Sequence, residues 1–440
     1  MHQTKKVTVI GGGIAGSEAC WQLAQQGVEV HLYEMRPVKP TEAHQTDHFS
    51  ELVCSNSFGS DAALSASRIL KDELSALGSF TLQVARKHAV PAGASLAVDR
   101  VLFAKEITER LAGHPKIKIH REEVIEIPTD GIVILATGPL TSPKLTQSLT
   151  ELLGSHSLYF YDAISPIVAT DSLDFSQIFY ANRYDKGDTA DFLNIPLSKE
   201  QYDRFIHEIT HGEVVLPHDF EEEKYFEGCM PIEAIASRGH QTLAFGPMKP
   251  VGLRDPKTGK QPYAVIQLRA ENRHKTAYNL VGFQTKLRYK EQERIFKTLP
   301  GLQSAEFLRL GSMHRNTYIN SPEHLMPTLQ LKKNPDVFLA GQLTGTEGYL
   351  ESSAGGLVAG LNAARLVNGQ PLLRLPNTTL LGALLESITD PQRKNFQPCN
   401  VNMGLFPPLE NGSPKDKKQK YHLFAERSQQ SLKLFSQISY

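Results

Sequence analysis

Only four of the 440 residues are cysteine, Cys20, Cys54, Cys229 and Cys399, and no two form a C-x-x-C pair. That excludes a disulfide framework and a cysteine zinc site, and no metal is expected. In a reducing compartment the four are free thiols, so the question is which of them react. No apolar run approaches membrane-spanning length, and the first six residues lead directly into a strand, which leaves no room for a signal peptide. A cytoplasmic protein without a membrane partner is expected. Neither sign of charge is in excess, with 47 basic residues against 47 acidic. Overall charge therefore announces no nucleic-acid partner; only a local basic face would. The length suits two or three domains and a sizeable core.

The organising stretch lies near the amino terminus. Lys5–Ile10 reads as a buried strand, Ser17–Gln26 as a helix, and Val28–Tyr33 as a second strand ending on Glu34. Between the first two runs Gly11-Gly12-Gly13-Ile14-Ala15-Gly16, with Gly11, Gly13 and Gly16 at G-x-G-x-x-G spacing. Gly11 permits the tight turn, Gly13 lets backbone N–H groups approach a pyrophosphate, and Gly16 lets the helix pack closely. Glu34 stands where a carboxylate accepts hydrogen bonds from an adenosine ribose. The motif alone does not choose between FAD and NAD(P), but its place at the start of a long chain favours FAD. Ile132–Gly138, an apolar strand ending in Ala-Thr-Gly, points the same way. So does Asp336–Gln342, a strand followed by Gly345 and a small-residue helix over Ser352–Val367. Gly341, Gln342 and Gly345 are thus candidates beside the flavin, the alternative being ordinary helix–sheet packing. No second dinucleotide fingerprint is visible.

Cys20 sits in the first helix among Ala19, Trp21 and Leu23 and reads as a small buried hydrophobe. Cys54, in Glu51–Ser57, follows the cofactor unit closely enough for a chemical role. Helices are predicted over Ala62–Leu77 and from Asp99, a plausible cap, through Val101, Phe103, Ile107 and Leu111. Lys116–His120 and Glu123–Ile127 alternate like edge strands. After about residue 160 the texture changes to short strands and aromatic clusters, Phe160–Pro166 and Gln177–Tyr180 suggesting an added sheet. Glu221–Glu223 reads as a solvated helix end, and Cys229 lies on a loop, where chemistry concentrates. Lys249, Arg254, Arg269, Arg273, Lys275, Lys286 and Arg288, interleaved with Tyr263, Tyr278 and Phe283, form either an RNA-binding face or a solvated sheet face. Nucleotide-fold character returns near residue 330. The lysine-rich tail, with a possible helix over Tyr421–Phe435, is a nucleic-acid contact or a solvated end. The expected class is α/β: a Rossmann-like FAD-binding domain of the two-dinucleotide flavoprotein type over 1–160 and 325–410, an inserted α+β domain over 161–324, and a basic tail over 411–440.

Six stretches together resemble one known family. They are Gly11–Ala19, Glu51–Ser57, Phe226–Glu233, Phe245–Leu253, Gly341–Tyr349 and Gly404–Leu409, and they span nearly the whole chain in order. The family is that of the bacterial folate- and FAD-dependent tRNA (uracil-5-)-methyltransferases. A related flavoprotein family that modifies wobble uridines shares the N-terminal unit and part of the Gly341 block; the segment around Cys229 separates the two.

The resemblance implies 5-methyluridine formation at position 54 in the T-arm of tRNA. 5,10-Methylenetetrahydrofolate would supply the carbon, and NAD(P)H the electrons through FAD, which also carries the one-carbon unit. Uracil C5 becomes nucleophilic once a thiolate adds at C6, and a base must later remove the C5 proton. Cys229 is expected as the C6 nucleophile and Cys54 as the flavin-side thiol, base or adduct partner, with exchange of the roles open. NAD(P)H would visit the flavin without a Rossmann site of its own, the target uridine would be extruded, and the basic block and tail would grip the RNA. A monomer is the working expectation. Two other readings stay open: an FAD oxidoreductase acting on a small molecule, and a non-catalytic RNA-binding flavoprotein or redox sensor.

Overall fold

The computed structural model describes residues 6–154, 158–185, 189–215, 225, 230–410, 412 and 414–439. Its N-terminal part is built on a five-stranded parallel sheet in the order Val337–Leu339, Ile132–Leu135, Lys6–Ile10, Glu29–Tyr33, Ile117–His120. Val7 and Val9 are fully buried, as are Val30, Leu32, Val133 and Ile134 on the flanking strands, as expected for a sheet covered on both faces. The first strand pairs in register on both sides, with Val9 opposite Leu32 and Ile134. The first helix spans Ile14–Gln25, starting inside the glycine motif with Gly13 as its cap. Against its face lies helix Tyr349–Val367. A Cβ on Gly356 would stand 2.2 Å from the Ala15 carbonyl oxygen, and one on Gly360 2.8 Å from that of Ala19. The small residues of the late helix thus serve a close helix–helix crossing, beyond the helix–sheet packing that the pattern alone suggests.

The second body is a six-stranded antiparallel sheet, ordered Phe179–Tyr180, Leu193–Leu197, Ala264–Ala270, Ala277–Leu280, Ile167–Ala169, Phe307–Arg309. It has its own core, running from Val168 to Ala305, while the first core gathers residues from Val7 to Leu432. A two-stranded ribbon, Leu158–Ala163 against Met313–Tyr318, carries the chain out and back. A small sheet of Ser57–Ser60, Ser95–Val98 and Ala89–Val90 lies beside the segment that bears Cys54.

Several local expectations change. Glu123–Ile127 is not a strand; the sheet ends at Ile117–His120, and Glu123 is held instead by an ion pair with Lys39 (2.6 Å). Strand Ala264–Ala270 is buried on both faces, so its alternation does not mark a solvated side. Tyr278 and Phe283 are fully buried in the second core and offer no ring to a base; Arg269 is buried as well. Asp99 is the cap that was expected: it accepts from the Leu102 N–H at the start of Arg100–Ala112. Val101 on that helix is 63% exposed and lies off its apolar face. The tail forms one helix, Lys417–Ser439, longer than its pattern indicated. Its Phe424 stacks on Phe406, and Arg427 donates to the carbonyls of Pro407 and Pro408. Glu221–Glu223 and Cys229 lie outside the described residues.

Candidate cofactor cleft and cysteine site

The glycine motif forms one wall of a cleft with about 1030 Å³ of empty space. Gly11 has φ +104°, and a Cβ there would lie 2.4 Å from the Ala136 carbonyl, so both conformation and space demand glycine. Where Gly13 would carry a Cβ there is nothing within 4 Å, leaving the helix N-terminus open to a ligand. Gly16 faces the other way: a Cβ would meet the Gly11 carbonyl at 1.8 Å, so this residue sets the packing of helix on turn. The Gly12 N–H donates to Glu34 Oε2 (2.9 Å), while Glu34 Oε1 accepts from the Arg36 backbone N–H and Nε, each at 3.0 Å. Burial pushes the Glu34 carboxyl up, but the Arg36 charge and these hydrogen bonds outweigh it and hold the group below the ordinary carboxylate range. His44, also on the lining, is driven down to about 4, first by burial and then by the Arg36 charge, and is neutral near pH 7.

Gly11, Gly12, Gly13, Ile14, Ala15 and Glu34 all line the cleft, and so do Gly341 and Gln342 from the far end of the chain. Gly341, at φ +74°, lies against Ala15, to whose Cβ an added methyl would come within 2.8 Å. Gly16 and Gly345 do not line it; a Cβ on Gly345 would strike the Phe396 ring at 2.4 Å. The turn after Ile132–Leu135, from Ala136 to Ser142, closes the cleft, with Thr137 and Thr141 hydroxyls 2.6 Å apart. Tyr349 and Ser352, at the N-terminus of the late helix, complete it. An open helix N-terminus, a carboxylate at the end of the second strand and a largely apolar slot fit the pyrophosphate, adenosine and ring system of FAD. Arg36, His44 and Thr141 were missed by the sequence reading, since no local spacing marks them.

Cys54 is half-buried, directly after the lining residue Val53, and its N–H donates to the Tyr349 hydroxyl (2.9 Å). Its segment is pinned on several sides. Arg100 Nη1 donates to the Leu52 carbonyl (2.6 Å), and Arg100 Nε to Glu271 Oε2 (2.5 Å). Asn56, wholly buried, donates to the carbonyls of Val98 (2.9 Å) and Ala270 (3.0 Å) and accepts from Arg269 Nε (2.8 Å). Arg100, Arg269 and Arg309 all lie within electrostatic reach of the Cys54 sulfur. Nearby, burial and the charges of Asp162 and Cys54 raise the Glu347 carboxyl well above its ordinary value, although Gln342 Nε2 donates to it (2.6 Å).

Residues next to Cys229 sit in the second body: Met230 and Ile232 are buried, and the Ile232 N–H donates to the Gln284 carbonyl (2.8 Å). Cys20 is fully buried, and burial pushes its thiol up, out of reach of solution chemistry. Cys399 is raised by burial too, with Arg393 Nη1 3.7 Å from its sulfur. Among the described residues no cluster of His, Cys, Asp or Glu could hold a metal ion, and no helix is long and apolar enough to cross a membrane.

Comparison with known proteins agrees with this geometry. Residues 6–371 match the family model described as "Glucose inhibited division protein A". A solved structure of GidA from Aquifex aeolicus shares the fold, with a TM-score of 0.71 at 17% identity over 99% of this chain and 74% of that one. Sequence likeness is far stronger to proteins named methylenetetrahydrofolate–tRNA-(uracil-5-)-methyltransferase TrmFO. The one from Dictyoglomus thermophilum is 55% identical over 97% of both chains, and that from Citrifermentans bemidjiense 56% identical over 98% of both. Identity of that order from end to end, on a cleft whose glycines and acid are in place, makes this chain a member of the methylenetetrahydrofolate–tRNA-(uracil-5-)-methyltransferase family.

Proposed function

We infer that this protein methylates uracil C5 in tRNA, with 5,10-methylenetetrahydrofolate as carbon donor and FAD as its redox cofactor. The end-to-end likeness to methyltransferases of that name carries the reading. Gly11–Ala15, Glu34, Gly341 and Gln342 hold the FAD, which when bound supplies electrons from NAD(P)H and carries the one-carbon unit. The uridine is that at position 54 of the T-arm, extruded from its loop to reach the cleft. The parallel-sheet unit of 1–160 and 325–410 holds the cofactor, the insertion of 161–324 faces the RNA, and the chain acts as a monomer in the cytoplasm.

Cys229 adds to uracil C6 and Cys54 works on the flavin side, as base or adduct partner. For Cys54 the supporting observation is its place between Val53 and the Tyr349 hydroxyl, within reach of three guanidiniums. The test is transfer of label from methylene-labelled methylenetetrahydrofolate to an unmodified tRNA transcript, followed by nucleoside analysis. Label in 5-methyluridine is expected; a reducible flavin with no label in RNA would favour a small-molecule oxidoreductase. For the thiols, Cys229→Ala is expected to lose the covalent complex with 5-fluorouracil-containing tRNA, and loss by Cys54→Ala alone would reverse the assignment.

A further inference from the structure

The short helix Thr242–Phe245 ends on an aromatic ring held out in solvent. Phe245 is 77% exposed, more than any other large apolar side chain among the described residues. It is not a frayed end. Leu243 and Met248 on either side are fully buried in the second core, and the Met248 N–H donates to the Leu243 carbonyl (2.8 Å). The ring is therefore presented by an anchored turn.

Its surroundings are basic. From Arg238 to Lys260 the chain carries Arg238, Lys249, Arg254, Lys257 and Lys260 against the single acid Asp255, within a sequence whose charges balance overall. Lys249 and Arg254 are both exposed. A second exposed aromatic, Tyr184, lies against the same loop. Its N–H donates to the Gly252 carbonyl (2.8 Å), and a Cβ on Gly252 would come within 2.9 Å of its ring. Arg183 braces the loop, donating to the carbonyls of Lys249 and Val251 and to Gln267 Oε1 (2.8 Å). A protein partner would favour a wider apolar patch depleted of charge. Isolated aromatic rings set among cations suit an unpaired base with its flanking phosphates.

We propose that the Phe245 turn is a second grip on the RNA: the ring stacks on an unpaired loop base of the tRNA while Lys249 and Arg254 neutralise adjacent phosphates. This rests on the reading of the chain as a tRNA methyltransferase. The experiment measures binding of the full-length, FAD-loaded protein to unmodified tRNA transcript over a range of KCl. Phe245→Ala is expected to weaken binding about tenfold with an unchanged slope of log K against log salt, because stacking is largely insensitive to counterions. Phe245→Trp is expected to hold or exceed wild-type affinity, and Phe245→Leu, which keeps apolar area without a π face, to fall with the alanine variant. Lys249→Gln is expected to make the salt slope shallower by roughly one. NADPH-driven flavin reduction without RNA should be unchanged in all four. Phe245→Ala binding within about twofold of wild type would overturn the proposal, as would Phe245→Trp as weak as alanine. Wild-type protein that does not bind tRNA would defeat the parent reading instead.

Discussion

Glu34 holds two groups with one carboxylate: the Gly12 N–H on one oxygen and Arg36 on the other. Its replacement by alanine would loosen the glycine turn and leave Arg36, itself buried, with the Glu51 carboxylate at 3.3 Å and the Thr46 carbonyl at 3.1 Å. A loss of about 2–3 kcal/mol of stability is expected, together with loss of bound FAD, read from denaturant midpoints and flavin stoichiometry. A different behaviour is expected of Glu73, Glu233 and Glu351, each pushed by burial from its ordinary 4.5 up to about 7. Between those two values the unfolded chain has lost protons that the native chain keeps, so stability falls as pH rises through the window and levels off above it. Each group contributes at most about 1.4 kcal/mol per pH unit. Glu351→Gln can still accept the Val401 N–H that Glu351 Oε1 accepts at 2.9 Å, and should flatten the slope by one group in urea titrations between pH 5 and 7.5. A fall of unchanged steepness would count against a proton held there. Gly11, Gly13 and Glu34 were legible because their work is local, done within one turn and one strand. Arg100 and Arg269 were not: each acts through a partner that only the folded chain brings near, and Arg269 in sequence looked like one more surface cation.

At the level of elements, the crossing of Ile14–Gln25 by Tyr349–Val367 decides where Ala15 sits on the cleft wall. Gly356→Ala would drive a methyl into the Ala15 backbone, where nothing flexible can yield. Overpacking of this kind costs about 1–3 kcal/mol, and the variant is expected to bind FAD more weakly even where it stays folded, measured by dialysis and thermal melting. An alanine variant with full FAD affinity would show that the helices can part without disturbing the cleft. The late helix was visible in sequence as a run of small residues, but its partner was not, since composition carries no address. The opposite error occurred over Glu123–Ile127, where alternation imitated a strand although the segment does not pair with the sheet and Glu123 is tied to Lys39 instead. Tyr278 was misread for a related reason: a strand covered on both faces gives no sign of which aromatic faces water, and Phe283, just past that strand, is buried with it.

Across the whole molecule, the two cores meet at the Cys54 segment. Asn56 reaches from the cofactor side to the Ala270 carbonyl and to Arg269 on the inserted sheet, and Arg100 reaches Glu271. Asn56→Ala would leave buried donors and acceptors unpaired on both sides, at a cost of about 1–3 kcal/mol. Methylation is expected to fall by more than FAD content does, because the thiol segment loses its seat while the glycine turn does not. Equal losses would place the effect in general instability. That two bodies exist was readable from the change of texture along the chain; that they are joined through buried amide and guanidinium bonds beside a thiol was not.

The cleft wall is also a matter of timing during synthesis. Strand Ile132–Leu135 stands at the sheet edge until Val337–Leu339 pairs with it, and Gly341, Gln342, Tyr349 and Ser352 come later still. A nascent chain that has finished its glycine turn must therefore carry an unprotected edge while the whole insertion is translated, before it can close on the flavin. Arrest or truncation within that interval would yield chains that hold no FAD and present a ready template for strand pairing with one another.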